Sequence, residues 1–210
     1  MPNWTDNTIE INGTVEDVNT FMDTITNKVT VDGEPEVMYN LTACFPTPKE
    51  LKNVHQGSRE IDGVRCDAWY DDEDGIRPLL DITKNELIAK YGVYKPIDWE
   101  YRFWGTKWGD CNTELLSDTT SQGTRELVFT FDSAWGEPFM LLNDIANKYN
   151  LSIINTVRHE FDDDEDTITT EYPWTPEETL DVYRDHRKLL DTNQEILNKK
   201  TKESFNAEPL

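Results

Sequence analysis

Ile9 and Ile11 alternate with Glu10 and Asn12, a period of two that predicts a half-buried strand. Asn12-Gly13 supplies a turn, and Thr14 is a good helix N-cap with Asp17 in capping-box position. Val18, Phe21, Met22, Ile25 and Val29 then recur at helical spacing and predict one apolar face on a helix ending near Asn27 or Lys28. Further along, 112–117 and 126–132 read as strands joined by the Asp118–Gly123 turn, with Leu127, Phe129 and Phe131 on one face. Pro138 suits a first helical turn, Leu142, Ile145, Ala146 and Tyr149 form a stripe, and Asn150 ends it. Leu151–Val157 predicts another strand, and Ile168, Thr170 and Tyr172 a last short one, making a hairpin. Thr175-Pro176-Glu177-Glu178 supplies N-cap, N1 proline and N3 glutamate for a helix over 176–200, roughly 37 Å long.

Residues 30–110 lack such regularity. Phe45-Pro46-Thr47-Pro48 must be extended, because proline biases its predecessor away from helix. Residues 52–78 hold few apolar side chains and read as a long solvated loop. Asn85–Tyr91 predicts a short helix capped by Asn85 or Thr83 and stopped by Gly92, followed by an aromatic cluster of Trp99, Tyr101, Phe103, Trp104 and Trp108. The order strand, helix, insertion, strand, strand, helix, strand predicts an α+β fold, a ferredoxin-like βαββαβ plait. A large insertion at about 30–110 follows the first helix. The expected division is 1–160 for the plait and 161–210 for an acidic hairpin and C-terminal helix.

Charge changes the picture. Forty-two Asp and Glu face 20 Lys and Arg, a formal net charge of −22 over 210 residues. That excludes a DNA-coating protein, whose phosphate contacts need a cationic face, and disfavours anionic membranes. No apolar run approaches membrane-spanning length and no signal-peptide pattern opens the chain. Cys44, Cys66 and Cys111 form no CxxC pair, so we expect reduced thiols and a cytoplasmic site of action, with the sequons at Asn3, Asn12, Asn40 and Asn150 idle.

Several motifs carry a family resemblance. Met1-Pro2-Asn3-Trp4 with Asn7, Phe45–Leu51, Leu87–Gly92, Asp98-Trp99, Trp104–Trp108 and Phe129–Trp135 before Pro138 resemble, in order, a family of phage and plasmid proteins described as YubB-type. The resemblance covers residues 1–150 and lapses after 160. It implies the plait and a mobile-element origin, and it implies no activity.

Trp104-Gly105-Thr106-Lys107-Trp108 is the most distinctive segment. Lys107 between two indoles can bind an anion or stack on a base. The reading preferred here is structural: Gly105 turns the chain, Trp104, Trp108 and Trp135 enter the core, and Lys107 snorkels. Asp132 is expected to cap the following helix or pair with Lys107. The three His (55, 159, 186) are isolated, so no catalytic residue, metal ligand or cofactor is assigned. Asp71-Asp72-Glu73-Asp74-Gly75 with Asp81 fits a calcium loop poorly, since Tyr70 takes the first ligand position. The second acidic run is Asp162-Asp163-Asp164-Glu165-Asp166, and residues 160–185 hold eleven acids against Arg184. Those five residues with Glu177 and Glu178 are the candidate partner-binding surface. The C-terminal helix repeats Val182, Leu189, Ile196 and Tyr183, Leu190, Leu197 every seven residues, enough for docking or a homodimer.

The expected function is a non-enzymatic, phage-encoded acidic protein that binds and inhibits a host DNA-handling or defence protein with a basic surface, by nucleic-acid charge mimicry. The alternatives are a nucleic-acid-binding ferredoxin-like module, which the charge disfavours, and an uncharacterised enzyme or metal-binding protein.

Overall fold

A computed structural model describes residues 3–160, 167–175 and 177. The chain divides into two compact units, Met1–Pro173 and Trp174–Leu210. The acidic run 162–166, Glu178, His186, the C-terminal helix and any dimer through it lie outside the described residues.

The long amphipathic segments form the expected elements, except that Asn12-Gly13, expected as a turn, continues the first strand, opposite Glu126 and Arg125. Strand β1 (Trp4–Thr14) leads into helix α1 (Val15–Ile25), where Thr14 Oγ1 accepts from the Asp17 amide at 3.1 Å. Strands β7 (Lys107–Ser121) and β8 (Thr124–Ala134) make a hairpin, then helix α5 (Phe139–Tyr149) ends at left-handed Asn150 and strand β9 (Ser152–His159) returns. Strand β10 (Ile168–Tyr172) adds an edge. The five strands stand in the order β10-β9-β1-β8-β7, every neighbour antiparallel. Because β10 completes this sheet, the unit boundary falls at Pro173 and not at the expected 160.

Ile9, Ile11, Leu127, Phe129, Phe131, Ile153 and Val157 are buried on one face with Val18, Phe21, Ile25, Leu142 and Ile145. Phe21 meets Tyr149 edge-on at 5.6 Å. This two-layer core makes the architecture α+β.

The insertion differs from the expected pattern. Val29 does not continue the helix, because α1 stops where the Asn40 amide donates to Ile25 O at 2.9 Å. Strands β2 (Thr26–Val31) and β3 (Glu34–Tyr39) form a hairpin at Asp32-Gly33 instead. A 3-10 turn (Leu41–Cys44) and helix α2 (Lys49–Lys52) follow. The expected loop over 52–78 is a three-stranded sheet of β4 (Val54–Ile61), β5 (Val64–Asp72) and β6 (Gly75–Pro78). Its strands bury Val54, Ile61 and Ala68 and little else, so no period of two marks them. Helix α3 (Asp81–Tyr91) starts earlier than expected, with Leu80 at the N-cap, and stops at left-handed Gly92. Helix α4 (Pro96–Phe103) carries Trp99, Tyr101 and Phe103 of the aromatic cluster, with Trp99 buried and Trp104 at its C-cap. No described helix is long and apolar enough to cross a membrane.

Candidate functional site

Among the described residues, no helix packs on one face of the five-stranded sheet. In β1, Thr5, Asn7, Ile9 and Ile11 are buried, so Trp4, Asp6, Thr8 and Glu10 point the other way. Register places Asp6 beside Asp132 and Arg158, Thr8 beside Thr130 and Thr156, and Glu10 beside Val128 and Ile154. Glu114, opposite Thr130, and Glu171, opposite Ile154, share this face with Glu126. These positions are half-buried or exposed. The face carries six carboxylates (Asp6, Glu10, Glu114, Glu126, Asp132, Glu171) against Arg158 and Lys107. Like charges at the Asp6–Asp132 pair are relieved locally: Arg158 Nη2 is 2.6 Å from Asp6, and the Asn112 amide donates to Asp132 at 2.8 Å.

An aromatic cluster closes one end of this face. Gly105 has φ +88°, and a Cβ there would meet the Phe139 ring at 2.7 Å, so glycine is required twice over. The turn sends Trp104 inward, where its Nε1 donates to Phe45 O at 2.9 Å. Thr106 Oγ1 donates to Ala134 O, fixing the start of β7 against the end of β8. Lys107 then pairs with Ala134, and a bulge follows before Cys111. At the bulge Trp108 takes φ +52°, and Trp135, just past β8, takes φ +74°. Left-handed backbone costs roughly 1–2 kcal/mol for a bulky residue.

The expectation of three buried indoles is corrected here. Trp104 is buried, but Trp108 is 47% and Trp135 50% exposed. Their left-handed backbones turn them out of the core. The Lys107 ammonium lies 4.4 Å from the Trp108 ring centre and 5.4 Å from that of Trp135, so the two indoles clamp it. Trp4 extends the cluster, 6.1 Å from Trp108. Among the described residues Lys107 is in no ion pair. Asp132 neither caps α5, whose N-cap is Pro138, nor pairs with Lys107, because Asn112 holds it.

A polar network under the helix-facing side holds the Trp135 turn. The Trp135 amide donates to Asn3 O at 2.8 Å, and Ser133 Oγ to Gly136 O at 2.7 Å. The Glu137 carboxylate accepts from Asn155 Nδ2 at 2.8 Å, Thr170 Oγ1 at 3.1 Å and the Tyr172 hydroxyl at 3.2 Å. Asn155 Nδ2 also reaches Asn7 Oδ1 at 3.1 Å, and Asn7 Nδ2 donates to Ser133 Oγ at 2.8 Å. Burial first, then the Glu137 charge, holds the Tyr172 hydroxyl far above the usual tyrosine range. Trp4 and Asn7 entered the sequence reading only as motif residues, and Glu137 and Asn155 were not singled out. The available signal was an asparagine at an inward position of each of two apolar strands.

The remaining candidates are dispersed. Asp72 of the calcium-like run is held by Arg77 at 2.6 Å in the β5–β6 turn. His55 stacks on Trp69 at 5.9 Å, and His159 Nδ1 lies 3.1 Å from Thr5 Oγ1. Asp110 accepts from the Leu41 amide at 2.5 Å and the Thr42 amide at 3.3 Å, and burial pushes its carboxyl up to about 6. Burial likewise pushes the Cys44 thiol up to about 11. Glu177 is exposed. Among the described residues no group of three His, Cys, Asp or Glu could hold a metal ion.

No family model, curated protein or solved structure matches this chain.

Proposed function

We propose that this chain is a non-catalytic binding module on a ferredoxin-like plait, and that it holds a protein whose own surface is basic. The strand order supports the plait. Without the added edge, β9, β1, β8 and β7 stand as fourth, first, third and second strand of a βαββαβ unit, with α1 and α5 following the first and third. The observation that carries the binding reading is the helix-free face of the described sheet, with six carboxylates along it and an aromatic cluster at one end. Exposed aromatic anchors beside a polar, charged surface are common in protein interfaces. Such a face repels phosphates and attracts Lys and Arg, which favours inhibition of a DNA-handling or defence protein by charge mimicry. The family resemblance adds a phage origin and a bacterial cytoplasm as the place of action.

A second reading has an observation of its own. Two exposed indoles around the Lys107 ammonium suit base stacking, as in a nucleic-acid module. The surrounding carboxylates weigh against it.

Binding of the tagged chain to host DNA-handling proteins at low and high salt, with duplex DNA as competitor, tests both. Mimicry predicts a partner lost at high salt, displaced by DNA, and lost with Glu10→Gln, Glu114→Gln and Glu126→Gln combined. A partner that ignores salt, DNA and these substitutions would sink the mimicry reading. Direct binding of the chain to an oligonucleotide would establish the second.

A further inference from the structure

We propose that the Trp108–Trp135 clamp is an anchor for an arginine side chain of a basic partner protein, and that Lys107 is the occupant it displaces. The inference rests on the protein-binding reading above and names the contact within it.

The two rings present their faces to one point, and that point already holds a cation, 4.4 Å and 5.4 Å from the ring centres. Ring quadrupoles attract positive charge, so the clamp is selective for cations. Its surroundings reinforce this. Asp6 and Asp132 lie two positions from Trp4 and Ala134 on the same face, and Glu160 accepts from the Trp4 amide at 3.1 Å. No described carboxylate lies within ion-pair distance of Lys107; the nearby Glu100 carboxylate, which accepts from the Trp108 amide, feels its charge, and the two rings make the direct contact with its ammonium. A lysine ammonium is compact and strongly hydrated, while a guanidinium is planar, weakly hydrated and stacks on indoles. An incoming arginine therefore gains more from the same two rings than Lys107 does. The protein also keeps both tryptophans left-handed while leaving about half of each in solvent, which core packing does not explain.

The sign of one substitution separates this from anion binding. If Lys107 recruited a phosphate, removing it would abolish binding. If Lys107 is a displaceable occupant, removing it opens the clamp. The test is titration of the full chain at ~0.15 M salt with a blocked Gly-Arg-Gly-Arg-Gly peptide and its lysine counterpart, read by indole fluorescence and indole N–H shifts. The arginine peptide should bind more tightly than the lysine peptide. Lys107→Ala should tighten it about threefold to fivefold, the worth of one exposed cation–π contact. Trp108→Ala and Trp135→Ala should each weaken it by at least that factor while melting close to wild type. Trp135→Phe, which keeps a ring, should retain part of the affinity.

Equal binding of both peptides, or no change in the tryptophan variants, would overturn the proposal. So would an oligothymidylate that binds wild type and is lost in Lys107→Ala. Self-association abolished by Trp135→Ala would assign the patch to a second copy of the chain instead. If the peptides fail while a partner remains salt-sensitive and dependent on Glu10, Glu114 and Glu126, the clamp assignment falls and the binding reading stands.

Discussion

Asn155 and Glu137 meet beneath the Trp135 turn, the asparagine amide donating to the carboxylate at 2.8 Å. Through this contact the β8–α5 connection is tied to β9, and through Thr170 and Tyr172 to β10. Glu137→Ala leaves three donors short of their acceptor. It should cost about 2–4 kcal/mol, against about 1–2 kcal/mol for Glu137→Gln, which keeps one oxygen. Urea denaturation with amide exchange on β10 checks this. Wild-type stability in the alanine variant would show that the network does not hold the turn.

The three indoles should separate by stability. Trp104→Ala removes a buried ring and should cost about 3–5 kcal/mol. Trp108→Ala and Trp135→Ala should stay within about 0.5 kcal/mol, as surface changes do. Trp135→Gly should regain about 1 kcal/mol of left-handed strain. Thermal melts of the four variants decide. Equal losses at 104, 108 and 135 would restore the core reading of all three.

Gly105 and Gly33 both have φ +88°, but they differ in surroundings. A Cβ at Gly33 meets nothing within 4 Å, whereas at Gly105 it meets the Phe139 ring. Gly33→Ala should cost about 1 kcal/mol of backbone strain alone. Gly105→Ala adds overpacking and should cost about 2–4 kcal/mol. Denaturant midpoints for the pair measure the difference, and equal midpoints would mean that Phe139 yields without cost.

Asp110 sets a pH dependence. Its folded-state pKa of about 6 lies above the ordinary aspartate value of 3.8, so the native state binds the proton more tightly than the unfolded chain. Its favourable contribution is therefore full below about pH 4 and is lost as pH rises through about 6. The swing is about 3 kcal/mol at most. Urea midpoints at pH 4.5 and 7 should diverge between wild type and Asp110→Asn, with the variant showing the smaller gain at low pH. Parallel profiles would place the titration elsewhere.

Periodicity determined four strands and two helices of the larger sheet, while the place of β10 at its edge came from the tertiary structure. Ile9 and Ile11, Leu127, Phe129 and Phe131, and the stripe from Leu142 to Tyr149 each have one wet and one dry side, and one-sided burial leaves a period in the sequence. The hairpins at 26–39 and 54–78 escaped because both their sides are mostly wet, so no period forms. Their local trace is Asp-Gly at 32–33, 62–63 and 74–75, a dipeptide of tight hairpin turns. The site shows the same division. The composition of the Trp104–Trp108 segment marked it as unusual, and Gly105 as its turn. Which indole is buried was decided by the tertiary structure: the Gly105 turn carries Trp104 inward, while the bulge after Lys107 and the end of β8 give Trp108 and Trp135 left-handed backbones that face them outward around Lys107. Those backbone angles depend on how β7 and β8 align with each other and with the hydrogen-bonded turn at Glu137. That alignment joins residues far apart in the chain, and no local pattern encodes it.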